Sequence, residues 1–319
     1  MYRNIMVPVD GSSFSKEAVL QGLRIASESG ATLRLVRVAS APMLGGPDSM
    51  AIETRTAREI RNNELAELYS IAAECRAHST VNVTASLQDG PVADALMGYA
   101  RRYNVDLIVM RSHARSGFAR AWFGSVADKL IRESGIPVLV VRPPSVATAL
   151  GSGLGFNRIL VPLDGSELAE EVLYRVIPLA KVEGSKITLL RVVSPSRDQD
   201  SPKLESSIGP ASAMDVADAQ RYVDLLLTSQ LDKPLHVERR VVVAGDVAST
   251  ILHYSRIEES DLIAIATHGR GAIARARMGS VADQVMREAA ISTMVIHPLS
   301  IATAETRARA AVTARAVPA

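Results

Sequence analysis

The stretch RNIMVPVDGS at residues 3–12 returns as NRILVPLDGS at residues 157–166, which sets Asp10 and Asp164 154 residues apart. LRLVRV (33–38) is answered by ITLLRV (187–192), and Gly90 and Gly245, Gly124 and Gly279, Ser125 and Ser280, and Asp128 and Asp283 each differ by 155. A period this long is a whole domain rather than a solenoid unit, so the chain reads as two homologous domains. They are placed at 1–143 and 157–298, joined by a linker at 144–156 within PPSVATALGSGLG and followed by a flexible tail at 299–319. A length of 319 residues fits two ordinary cores.

Within each copy, short β-branched runs alternate with helical patterns, which predicts βαβ units and a parallel sheet covered on both faces. The runs are IMVPV, TLRLVRV, VNVTASL, DLIVM and PVLVV, then ILVPL, KITLLRV, HVERRVVV, DLIAIA and TMVIH. Near-continuous apolar runs such as DLIVM suit central strands. Helices are expected near 14–29, 51–77, 91–103 and 125–134, with counterparts about 155 residues on, giving five strands and four helices per copy.

Composition narrows the function classes. Aromatic residues make up only 4% of the chain, so the cores must be aliphatic. A formal net charge of +2 is no footprint for nucleic acid or an anionic membrane. The single cysteine, Cys75, excludes an internal disulfide and a cysteine-cluster metal site. MYRNIMVPVD enters a strand pattern at once, without the layout of a secretory signal, and no apolar run approaches the ~18 residues of a membrane span. A cytoplasmic protein is expected.

The chemistry is expected in two glycine-bearing loops, SHARSGFARAWFGS (112–125) and THGRGAIARARMGS (267–280), each running from an apolar strand into an amphipathic helix. Neither holds the lysine of a Walker A loop. Gly269, Gly271 and Ala274 spell G-x-G-x-x-A, but after the fourth strand and without an acidic residue on the next, so this is no dinucleotide fingerprint. Ser125 with Asp128, and Ser280 with Asp283, have capping-box spacing, so each serine is expected to be a helix N-cap. Asp10 and Asp164 end the first strand of each copy. Alone each reads as a helix cap; with the loop they form a nucleoside-phosphate constellation at the strand ends where open α/β sheets bind ligands.

On VPVDGS, VPLDGS, the two loops and GSVAD followed by IPVLVV, both halves resemble universal stress protein domains, from residue 3 to about 143 and from 157 to about 298. Nucleotide-binding members carry G-x2-G-x9-G-[ST] after strand four and an aspartate after strand one. The resemblance implies an adenine nucleotide alpha hydrolase-like α/β fold: two open parallel five-stranded sheets of order 3-2-1-4-5 with helices on both faces. It further implies pairing through strand five, with PVLVV antiparallel to TMVIH as an internal pseudo-dimer; association of two chains into a homodimer is left open. The ligand it implies is an adenine nucleotide, ATP, ADP or AMP, with or without a magnesium ion.

Carried onto domain 2, the resemblance has Asp164 meet the adenosine and Val192 offer backbone to the adenine. Gly269, Gly279, Ser280 and Val281 would hold phosphates, and His268 would shape the loop. Ala266 stands where the motif has its first glycine. In domain 1 the matching residues are Asp10, Val38, Gly124 and Ser125, but Arg111 replaces the first glycine and Ala114 the second. Domain 1 therefore reads as a degenerate site; the counter-reading, Arg111 as a phosphate ligand, stays open. No general base faces an attacking water, so binding rather than turnover is expected, with ATP hydrolysis absent or very slow. Two rivals to a stress-response regulatory module remain: a slow ATPase or nucleotidyl transferase, and a scaffold that dimerises and meets partners without nucleotide.

Overall fold

The alternating runs become ten strands and eight helices in a computed structural model that describes residues 2–12, 15–40, 50–111, 124–142, 155–195, 213–229, 235–267 and 278–297. Domain 1 runs β1 (Asn4–Pro8), α1 (Ser15–Ser29), β2 (Thr32–Val38), α2 (Met50–Ala77), β3 (Val83–Gln88), α3 (Val92–Arg102), β4 (Leu107–Arg111), α4 (Ser125–Glu133) and β5 (Val138–Val141). Domain 2 repeats it as β6 (Arg158–Leu163), α5 (Glu167–Glu183), β7 (Lys186–Val193), α6 (Ala213–Ser229), β8 (His236–Val243), α7 (Val247–Ile257), β9 (Leu262–Ala266), α8 (Ser280–Glu288) and β10 (Ser292–Ile296).

Strand periodicity sorts the core into two layers. Ile5 and Val7 of β1 and Val109 of β4 pack with Ile25 of α1 and Leu68 of α2. Their neighbours Met6, Ile108 and Met110 point the other way, onto Leu96 of α3 and Leu130 and Ile131 of α4. The strand order within each half is 3-2-1-4-5, all parallel, as the resemblance implies. The two halves join in one ten-stranded sheet, β3-β2-β1-β4-β5-β10-β9-β6-β7-β8. At the join β5 and β10 run antiparallel, with Leu139 opposite Met294. The expected pairing of PVLVV with TMVIH is thus present within one chain.

Polar contacts fasten the join on both faces. On one, Arg24 of α1 reaches Glu183 of α5 at 2.7 Å and lies over the Phe156 ring, while Glu183 also accepts the Phe156 N–H. Burial pushes the Glu183 carboxyl up to about 7, although Arg24 pulls the other way. On the other face, Arg132 of α4 bonds Asp128 of its own helix at 2.9 Å and Asp283 of α8 at 3.0 Å, and Arg287 holds Asp283 at 2.7 Å.

Candidate functional site

Each site begins with a D-G-S turn. Asp10 Oδ1 accepts from Ser12 N–H at 3.0 Å and Ser12 Oγ at 2.6 Å, and Asp164 repeats both bonds with Ser166 at 3.0 and 2.6 Å. The glycines between them, Gly11 (φ +80°) and Gly165 (φ +82°), adopt the left-handed backbone that other residues resist. Asp164 is not itself the helix cap; Ser166 is, accepting from Ala169 N–H at 3.2 Å. The aspartate instead fixes the capping serine and stays at the C-terminal end of the sheet. Its strand, β6, neighbours β9 where strand order reverses, the switch point at which such sheets take ligands.

The loops return to the same place at Gly124 and Gly279, and here the capping-box expectation fails. The N-caps of α4 and α8 are the glycines, with no side-chain cap bond. Asp128 and Asp283 turn sideways to arginines, and Arg287, followed by Arg132, holds the Asp283 carboxyl below its ordinary range. Strong four-apart ion pairs compete with a cap for the same carboxylate. By helix geometry the first-turn amides at 280–282, and at 125–127 in domain 1, lack intrahelical acceptors, and neither cap glycine offers them a side chain. Such amides, with the positive end of the helix dipole, are suited to phosphate oxygens.

Gly279 does not join them. Its N–H donates to Thr267 O at 2.7 Å, and a Cβ added there would lie 3.3 Å from that same oxygen. It closes the turn, and Ser280 and Val281 carry the donors. Thr267 itself is fully buried.

In domain 1 the expected residues Asp10, Val38, Arg111, Gly124 and Ser125 line one cleft of about 370 Å³. Its floor is apolar, from Val36, Leu96 and Met110. Arg111 does not fill it unpaired: the guanidinium bonds Glu17 of α1 at 2.6 Å. A second arginine, Arg37, lies over the D-G-S turn, 3.0 Å from where a Cβ on Gly11 would sit, and is held by Glu67 at 2.6 Å and Glu64 at 3.4 Å.

Domain 2 differs at these positions. Ala266, in the place of Arg111, is buried in the apolar layer with Leu163 and Val172, so its methyl is part of the core rather than a bulk against a sugar. Arg191, in the place of Arg37, donates to Leu163 O at 3.3 Å. Ala219 and Tyr222 replace the two glutamates, and burial, then the Glu170 and Asp164 carboxylates, raise the Tyr222 hydroxyl's pKa. Val192 is buried near the end of β7, opposite Val242. Ala114, His268 and Gly269 lie outside the described residues. Arg37, Arg191, Glu17 and Thr267 were missed in the sequence; the repeat of Arg37 at Arg191 was the available signal for the first two.

Among the described residues no group of three or more His, Cys, Asp or Glu could hold a metal, so a magnesium ion would depend on its nucleotide's phosphates. No helix among them is long and apolar enough to cross a membrane.

The universal stress protein family model matches residues 1–142 and 155–297. A universal stress protein of Methanocaldococcus jannaschii is 30% identical over 147 residues, covering 45% of this chain and 84% of that protein. One from Mycobacterium tuberculosis is 26% identical over 309 residues, covering 88% of this chain and 91% of its own length. In fold, the chain is similar to a universal stress protein from Archaeoglobus fulgidus, with a TM-score of 0.63 at 18% identity over 93% of this chain and 98% of that one. Two matched halves, a doubled 3-2-1-4-5 sheet and paired D-G-S turns leave one assignment: the chain belongs to the universal stress protein family, in tandem form.

Proposed function

We propose that the chain binds an adenine nucleotide, ATP, ADP or AMP, mainly in domain 2, and serves as a cytoplasmic regulatory module of the stress response. The observation that carries this reading is the uncapped first turn of α8. Its amides lie at the switch-point end of the sheet without intrahelical acceptors, the cap glycine has no side chain to offer them, and Asp164 ends the adjacent strand. Phosphates complete the amides, the carboxylate takes ribose hydroxyls, and Val192 supplies backbone to the base. Binding alters the surface a partner meets. Turnover is absent or very slow, because the reading assigns no side chain to activate water.

The test is direct. Purified protein is denatured and any released small molecule identified by mass spectrometry, alongside thermal melts with and without excess ATP. A released adenine nucleotide and a raised melting temperature are expected; neither appearing would leave the scaffold reading in its place.

A second reading concerns domain 1, and the cleft of about 370 Å³ favours it. The cavity keeps the aspartate and the helix start of the nucleotide site, so a ligand has room there once Arg111 chooses between Glu17 and an anion. The expected outcome is weak binding in domain 1, well below that of domain 2.

A further inference from the structure

The last four carbonyls of any helix lack intrahelical donors, and in α4 and α8 one of them is satisfied from the other domain. Met286 O of α8 accepts from Arg142 Nη2 at 2.7 Å, and Ile131 O of α4 accepts from His297 Nε2. Ile131 and Met286 are equivalent positions, as are Arg142 and His297. Each short helix is therefore capped by the residue that follows its sister domain's last strand.

The copies part at the next bond. Arg142 is a fixed cation at a helix C-terminus, where the dipole favours it. His297 has a second ring nitrogen, and its Nδ1 lies 3.2 Å from the hydroxyl of buried Thr267. Ile131 O can only accept, so Nε2 carries a hydrogen, and in the neutral imidazole Nδ1 then accepts from the Thr267 hydroxyl. Thr267 is fixed at both backbone groups as well, donating to Ile296 O at 2.9 Å and accepting from Gly279 N–H at 2.7 Å. A continuous line of bonds thus runs from the first turn of α8, through Gly279, Thr267 and His297, to α4 of domain 1, whose first residues Gly124 to Ala127 line the other cleft.

We infer that His297 is a positioning residue that holds the phosphate turn of domain 2 in register with α4 of domain 1, so that ligand at one cleft changes the other. The inference about ligand rests on the nucleotide-binding reading; the bridge itself does not. A partner half-buried at the domain join, acting through Thr267 rather than on a ligand, gives coupling of ordinary size.

Backbone hydrogen exchange by mass spectrometry on the full chain tests it, with His297→Leu, and with His297→Gln, whose amide keeps one donor and one acceptor. In ligand-free protein, exchange around Gly279 and across α4 should quicken about tenfold in the Leu variant and stay within about twofold in the Gln variant. ATP added at a concentration that fills domain 2 and leaves the weaker cleft of domain 1 empty should slow exchange at residues 279–283 and also at 125–133. The second effect should vanish in the Leu variant and return in the Gln variant. Unchanged exchange in ligand-free His297→Leu, loosening that Gln fails to restore, or protection of α4 that persists without His297 would each overturn the bridge. Absence of any ATP protection at 279–283, with the ligand-free loosening intact, would instead remove the nucleotide reading and confine His297 to holding the turn.

Discussion

The two clefts share a backbone and differ in how they treat charge. In domain 1 two arginines stand at the strand ends, and each is engaged by carboxylates: Arg111 by Glu17, and Arg37 by Glu64 and Glu67. Domain 2 has alanine for Arg111, and alanine and tyrosine for the two glutamates, while its second arginine bonds a backbone carbonyl. An anion entering domain 1 must compete with ion pairs already made, whereas in domain 2 the place of Arg111 is taken by buried Ala266. Duplication kept the scaffold in both copies and changed the charges beside it.

The strongest way to break this contrast is at the two N-cap glycines. Their backbones, φ −62° and ψ 151° at Gly279 and φ −58° and ψ 151° at Gly124, lie where any residue is allowed; a Cβ at Gly124 meets none of the described residues within 4 Å, whereas one at Gly279 lies 3.3 Å from Thr267 O, so that turn must give slightly. Gly279→Asp places a carboxylate on the first-turn amides and against the phosphates, and should weaken ATP binding about 100-fold by calorimetric titration. Gly124→Asp does the same to α4 and should change total affinity less than about threefold. Equal losses would mean that both copies work.

The contrast sharpens if domain 1 is repaired. In a Gly279→Asp background, Arg111→Gly with Ala114→Gly returns both motif glycines and should raise residual ATP affinity about tenfold, by restoring the backbone freedom of glycine at both positions and removing the Arg111 side chain. A fall instead would make Arg111 a phosphate ligand.

The smallest effect compares the two aspartates at the join. Asp283 serves two arginines and its pKa is lowered by Arg287 first. A carboxyl whose folded pKa lies below its unfolded value adds stability above the latter and loses it as pH falls through the former. Asp283→Asn should flatten the acid limb of stability below pH ~4 by under about 1 kcal/mol, given partial exposure. Asp128→Asn should cost less, its arginine retaining Asp283. Chemical denaturation from pH 3 to 7 measures both; a larger loss from Asp128→Asn would overturn the assignment of Asp283 as the hub.

How far the sequence was readable depended on the range of each interaction. The ten strands and the antiparallel join follow from repeats, periodicity and family resemblance, and they lie in the structure as expected, whereas Asp164, which alone read as a helix cap, holds the capping Ser166 instead. The capping boxes also depart from expectation. S-x-x-D has the same spacing whether serine caps the helix or an arginine four residues further on takes the aspartate, and Arg132 and Arg287 took it. Arg111 was read as the loss of the first motif glycine or as a phosphate ligand, and its partner Glu17 lies 94 residues away. Thr267 and His297 are thirty residues apart and carried no shared motif.

What the sequence determined by itself is what local chemistry and repetition encode: two copies, parallel sheets, and a carboxylate at the end of each first strand. Only the tertiary structure decided which charges cancel, that glycines rather than serines cap α4 and α8, and that His297 of one domain caps a helix of the other. Those outcomes depend on which side chain arrives first at a shared partner across the sheet, and that distance exists only once the two copies have closed into one sheet.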